Sequence, residues 1–247
     1  MRPGESPRVK LMMCPHPTEA TRAAADQLEF CLRLDGTRNV MVAGGNTPLA
    51  LYAEMARRSP SLEGVHVFVL DEYVGVPIEH PDTCSNLLRS RVAEAWGIPA
   101  ENFHALSSLE GDAEEAVLDH ERKIEAAGGI DLIVLGLGPN GHLGFNEPGS
   151  ARDSGARVLE LDLTSIEANR LWFGGAYAPA RGATVGLRTI LGARSAILLA
   201  FGPAKAPAVR AMISGHVSDL CPASFLQEHP DATAYLDREA AALLESP

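Results

Sequence analysis

Apolar residues cluster in short runs of strand length, and longer segments with helical spacing fall between them. The clearest runs are Asn39–Ala43, Val65–Leu70, Asp131–Leu137 and Ala196–Phe201. Each is nearly continuous rather than alternating, the pattern of a strand covered on both faces. Weaker strand candidates are Val9–Met13, Val158–Leu163 and Thr233–Leu236. Helical patterns begin at Thr18, with Ala24, Leu28, Cys31 and Leu32 apolar, and at Pro48, which suits a first turn. Further helices are expected from an Asp82 or Thr83 cap to Trp96, over Asp112–Ala127 and Thr164–Phe173, and up to Ile213. A terminal helix is expected over Arg238–Leu244. Alternating strands and helices predict right-handed crossovers, hence a single α/β domain: a doubly wound, mostly parallel sheet with helices on both faces. Residues 1–8, with two prolines and a glycine, are expected as a loose arm. The loosened stretch around Gly174, Gly175, Pro179 and Gly182 lies within about 157–185 and suits either a mobile lid or an ordinary surface connection.

In such a sheet the carboxyl ends of the strands share one edge, where ligands bind. Four apolar runs end there in polar loops: GGNTP after 39–43, DEY after 65–70, GLGPNGHLGFNEPGS from 136, and GPAK after 196–201. Gly44, Gly45, Asn46 and Thr47 lead into a helix and offer amides and a hydroxyl to an anion. Neither a Walker A spacing nor a dinucleotide fingerprint is present, so nucleotide binding is not indicated. Lys205 could add a point charge to the same anion, or be a plain surface lysine. Asp71 is placed either as a general base or as a turn cap. His142 and Glu147, five residues apart beside Asn140 and Asn146, fit a carboxylate-oriented imidazole. A glycine-rich turn with self-satisfied polar groups accounts for them equally well when the loop stands alone.

The net charge of −11, with no basic cluster, argues against nucleic acid or an acidic membrane surface as partner. It leaves room for one phosphate held by a few local donors. The four cysteines are scattered without paired or metal-ligand spacing, which points to inert thiols, and no apolar run reaches membrane-spanning length. A cytoplasmic location is expected.

The segments LDEYVGVPIEHP, LGLGPNGHLGFNEPGS and ASFLQEHPDAT resemble the glucosamine-6-phosphate deaminase (isomerase) family, which is related to the 6-phosphogluconolactonases. The resemblance runs from about residue 39 to residue 237. It implies that an amino-sugar 6-phosphate, glucosamine 6-phosphate first, is isomerised and deaminated to the ketose 6-phosphate and ammonia, with no metal or redox cofactor. It implies that Asp71 moves a proton from C2 to C1 and that His142 opens the sugar ring. Glu147 would orient His142, and Asn140 stands where many members carry aspartate. The glycine loop with Thr47, together with Lys205, matches phosphate-binding positions.

Departures from the pattern carry their own expectations. In Ala168-Asn169-Arg170-Leu171-Trp172-Phe173 the lid arginine is displaced by one position, and Arg188 stands where many members have glycine, so Arg170 or Arg188 is expected to reach the phosphate. GLRTIL and DTCSNLL look more like the galactosamine-6-phosphate branch, which would yield tagatose 6-phosphate. Arg157 fits one position of the regulated members, but Ala151 and Leu159 replace the polar and basic partners, so non-cooperative kinetics are expected. Two rivals are weaker. GGNTP resembles a lactonase loop, yet Tyr73 and GFNEPG with Glu147 favour the deaminase; a sugar-phosphate sensor would need a DNA-binding segment. The resemblance leaves both monomer and homo-oligomer open.

Overall fold

The computed structural model describes residues 9–34, 36–59 and 62–244. The expected arm, residues 1–8, lies outside the described residues. In chain order the elements are β1 (Lys10–Cys14), α1 (Pro17–Arg33), β2 (Asn39–Val42), α2 (Asn46–Arg58), β3 (His66–Val69), β4 (Asp71–Val74), α3 (Cys84–Leu88), β5 (Phe103–His104) and α4 (Ala113–Ala126). They continue with β6 (Leu132–Gly136), β7 (Arg157–Glu160), α5 (Leu163–Trp172), β8 (Arg181–Thr184), α6 (Leu187–Leu191), β9 (Ser195–Ala200), α7 (Ala206–Ser214) and β10 (Ala232–Asp237).

Among the described residues, seven strands form one sheet in the order β1-β10-β9-β6-β2-β3-β5. All its pairings are parallel. The apolar runs fill both faces because successive side chains point oppositely. Val40, Val42, Val67, Val69 and Val134 pack with Leu28, Leu51 and Met55 from α1 and α2. Met41, Phe68, Ile133 and Leu135 pack the other way, with Ile124, Ile190, Val209 and Met212 from α4, α6 and α7. Helices therefore cover both faces, as the strand patterns require. From β2 the chain steps through α2 to β3, and from β6 it reaches β9 on the opposite side. The strand order therefore reverses between β2 and β6, which opens a crevice at their carboxyl ends.

A second, antiparallel sheet of β4, β8 and β7 was not foreseen. β4 follows β3 after Leu70 alone, so Asp71-Glu72-Tyr73 is a strand rather than the beginning of a loop. Both ends of the 157–185 segment are thus paired in a sheet, and α5 with residues 173–180 spans the space between. Trp172 Nε1 donates to Asp82 O at 2.9 Å, tying α5 to the loop before α3. The expected helix over Arg238–Leu244 is a series of turns instead. There Asp237 accepts from both Ala240 N and Gly202 N, at 2.8 and 3.0 Å. The bond to Ala240 N, three residues on, is a helix N-cap contact, so the segment begins as a helix would and then continues as turns. No helix of the described residues is long and apolar enough to cross a membrane.

Gly186, at the start of α6, carries the closest backbone approach. A Cβ there would lie 2.0 Å from Ser154 O and 2.5 Å from the carbonyl carbon of Gly155. Backbone cannot yield as a flexible side chain does, so Gly186→Ala is expected to cost about 1–3 kcal/mol in denaturant unfolding. Gly111→Ala, which meets nothing within 4 Å, is expected to leave the midpoint unchanged.

Candidate active site

At the reversal point lies a cleft of about 360 Å³. All four polar strand-end loops line it: Gly44 to Thr47, Asp71 with Tyr73, Gly138 with His142, and Lys205. Gly45 has φ of 90°, a conformation that favours glycine, and it turns the chain into α2 so that the first helical amides face the cleft. Lys205 is partly buried at the start of α7, and burial lowers its proton affinity. Its Nζ donates to Leu137 O at 2.7 Å across the cleft floor.

The loop after β6 folds as a tight unit. Gly138 N donates to His142 O at 3.0 Å and Gly141 N to Gly138 O at 3.1 Å, with Gly141 at φ of 86°. A Cβ on Gly138 would lie 2.2 Å from the His142 ring, so only glycine lets the imidazole lie there. His142 Nδ1 is 3.2 Å from Glu147 Oε2. Asn140 braces both residues, donating to Glu147 Oε2 at 2.8 Å and accepting from His142 N at 3.2 Å. Ser165 Oγ, from the first turn of α5, donates to the other Glu147 oxygen.

Burial alone would raise the Glu147 carboxyl. The bonds from His142, Ser165 and Asn140 outweigh it and hold the group down at about 2. Glu147 is therefore ionised and only accepts, so Nδ1 carries the proton and Nε2 is the nitrogen left for a ligand. Asn140 and Glu147 stand behind His142 and outside the cleft lining.

Asp71 has the opposite environment. It is 8% exposed, and its Oδ1 is sealed from solvent with no hydrogen-bond partner. Burial first, then the charge of Glu72, push its carboxyl up to about 7, against smaller opposing effects from the Gly44 amide and the Cys84 thiol. A carboxylate near neutrality, lining a cleft and lacking a partner on one oxygen, is suited to accept a proton from a ligand. Tyr73 and Phe145 pack with their rings tilted by 56° and their centroids 5.3 Å apart and, with Trp172, form the apolar wall of the cleft.

The structure does not bring Arg170 or Arg188 to this site. Arg170 lies along the outer side of α5 and donates to Glu167, one turn earlier, at 2.6 and 2.9 Å. Arg188 pairs with Glu121 of α4 at 3.3 Å, also outside the cleft lining. In each case a nearby acid captures the guanidinium. Ser165, Cys84 and Trp172 are cleft residues that sequence reasoning missed. For Ser165 a signal existed: Asp162 is a capping residue that accepts Thr164 N at 2.8 Å, which places Ser165, three residues from the cap, in the first turn.

A family model described as glucosamine-6-phosphate isomerases/6-phosphogluconolactonase matches residues 17–235. The chain belongs to this family. Among its members, the glucosamine-6-phosphate deaminase of Hahella chejuensis is 38% identical over 245 residues, covering 96% of this chain and 92% of that protein. The enzyme of the same name from Pseudarthrobacter chlorophenolicus is 40% identical over 228 residues, covering 91% and 88%. A solved structure described as a monomeric glucosamine-6-phosphate deaminase aligns with a TM-score of 0.90 at 30% identity, over 95% of this chain and all of that one. The 6-phosphogluconolactonase of Trypanosoma cruzi aligns at 0.80, over 98% of this chain and 99% of that one; at 22% identity it shares the fold alone.

The raised proton affinity of Asp71 makes a testable statement about stability. Its folded value lies above the ordinary carboxylate value of about 3.9, so the ionised group opposes folding. That penalty is absent below about pH 4, grows as pH rises towards 7, and is complete above it. Asp71→Asn is therefore expected to stabilise the fold by about 1–3 kcal/mol at pH 8 and hardly at all at pH 4. Thermal unfolding at the two pH values measures the difference.

Proposed function

We propose that the protein converts glucosamine 6-phosphate and water to fructose 6-phosphate and ammonia. One observation carries the reading: two acid-base groups of opposite character line one cleft of about 360 Å³. Asp71 is sealed and basic, whereas His142 is braced by an ionised Glu147. The reaction needs both. The cyclic sugar must first open, which requires a proton at the ring oxygen and loss of one from the C1 hydroxyl. His142, with Nε2 free and Nδ1 fixed on Glu147, serves that step.

The open aldehyde then loses its C2 proton to Asp71 while the proton shed by the C2 ammonium goes to the C1 oxygen, giving a neutral enolamine. Asp71 returns the proton to C1, which leaves an imine at C2. Water adds to the imine, and the C2–N bond breaks to release ammonia and the ketose. A carboxyl with an affinity near neutrality is matched to both halves of the C2-to-C1 transfer, since it must take and then give the same proton. Because Oδ1 is sealed from solvent while Asp71 lines the cleft, Oδ2 is the oxygen we assign to the carbon acid.

For the phosphate, Gly44, Gly45, Asn46 and Thr47 at the amino end of α2 supply amides and a hydroxyl, and Lys205 supplies charge. Neither Arg170 nor Arg188 is needed in this arrangement. We also assign α5 the role of cover over the cleft. Ser165 sits on α5 and bonds Glu147, so closing α5 and bracing His142 are one event. The kinetics we expect are hyperbolic.

Ammonia release from glucosamine 6-phosphate and galactosamine 6-phosphate, measured side by side, tests the reading and decides the epimer. Release from glucosamine 6-phosphate that is lost in Asp71→Asn is the expected result; no release from either sugar contradicts it. Lys205→Ala is expected to raise KM about tenfold or more, the usual scale for a lost charged hydrogen bond. Arg188→Ala is expected to leave KM unchanged.

A further inference from the structure

The acid next to the base has no place in the reaction just described, yet it is the most buried charge near the cleft. Glu72 is 0% exposed. Successive residues of β4 point to opposite faces, so Glu72 turns away from the cleft as Asp71 turns towards it. Its Oε1 accepts from Tyr73 N at 2.8 Å and Cys84 N at 3.0 Å, and its Oε2 accepts from Ser85 N at 2.7 Å. Two of those amides open α3, where no earlier helical carbonyl can serve them. Ser85 Oγ then donates to Leu106 O at 2.9 Å, which anchors the other side of the same turn.

This clamp fixes Cys84. The thiol lies over the phosphate loop, where a Cβ on Gly44 would come within 3.0 Å of its Sγ, and it also faces Asp71. Burial and the two acids keep it protonated, so it stays a weak donor. The groups acting on Asp71 are Glu72 and Tyr73 on its own strand, Cys84 from α3, Tyr52 from α2 and the Gly44 amide, none of them a cation. His142, from the loop after β6, and Lys205, at the start of α7, line the same cleft. Glutamine could replace only one of the two accepting oxygens, since its amide nitrogen would meet an N–H donor to donor, so the three-amide clamp itself calls for a carboxylate, and with it a charge beside Asp71.

We infer that Glu72 is a positioning residue for Asp71: clamped by three amides, it fixes the Cys84 thiol against the base and keeps a negative charge behind it, so that Asp71 stays strong enough to take a proton from carbon. The two acids divide the labour by their partners. Glu72 has three amide donors and ionises first, whereas Asp71, with an oxygen that has none, keeps its proton to higher pH. The inference rests on Asp71 being the isomerising base. It extends that assignment by naming what makes the carboxylate basic.

The experiment is a pH profile of kcat/KM for ammonia release by the intact enzyme and its variants. Wild-type release that is lost in Asp71→Asn comes first; if that fails, the base assignment falls and this inference with it. Given that result, Glu72→Gln is expected to move the acid limb to lower pH and to lower plateau kcat severalfold, with KM little changed. Glu72→Asp, which keeps the charge, is expected to hold the limb near its wild-type position. A purely structural role would lower the melting temperature of Glu72→Gln but leave its limb in place, and that outcome overturns the inference. Should Glu72→Gln not fold, Cys84→Ala decides: losing the donor is expected to move the limb to higher pH, and an unmoved limb refutes the arrangement.

Discussion

The site depends on a carboxylate that the fold buries and declines to neutralise. Asp71 sits where the parallel sheet hands over to the small antiparallel one, with Leu70 as the hinge between β3 and β4. No cation is among the groups that set its proton affinity. A buried acid with a full set of donors would be ionised and inert at neutral pH, as Glu147 is. The contrast between these two acids is one of hydrogen bonding. Three side chains hold Glu147 charged, while Asp71 keeps one oxygen with no partner. The fold thereby makes a permanent anion and a proton carrier from one functional group.

The remaining parts follow from topology. Because β2, β3, β6 and β9 run parallel, their trailing loops meet at one edge, and the order reversal between β2 and β6 leaves a crevice there. The second sheet encloses that crevice. β8 pairs with β4 and β7 at once, and Gly182 within it leaves room for Phe145: a Cβ there would stand 2.5 Å from the ring. Phe145 in turn backs Tyr73, so the apolar wall over Asp71 relies on a residue with no side chain. Excluding water on that side is what keeps the carboxylate basic.

How much of this was legible in the sequence varies with the physics of each part. Strands buried on both faces announce themselves as apolar runs, so β2, β3, β6 and β9 and the loops after them were readable. β4 was not, because Asp71, Glu72 and Tyr73 look like loop residues until their pairing with β8 is known. Nor was β8, whose Arg181-Gly182-Ala183-Thr184 owes its strand form to tertiary packing rather than propensity. The terminal Ala- and Leu-rich segment showed the converse: good helix formers continue as turns beyond Asp237. At the site, Asp71, Asn140, His142 and Glu147 were visible because strand ends are privileged positions. Cys84 and Ser165 arrive from elsewhere in the chain and carry no such mark. Arg170 and Arg188 misled because sequence displays a charge without its direction, and Glu167 and Glu121 claim them first.

The division of labour between base and ring opener can be tested by proton exchange. Fructose 6-phosphate with ammonium in deuterium oxide should exchange hydrogen at C1, because the imine passes back through the enolamine; nuclear magnetic resonance follows the loss of signal. That exchange requires the carbon base but not enzymatic closure of the pyranose ring. Asp71→Asn is expected to abolish it, while His142→Asn retains it and loses net ammonia release from the cyclic amino sugar. Exchange that survives in Asp71→Asn, or disappears in His142→Asn while Asp71 is intact, would contradict the assignment of carbon acid chemistry to Asp71.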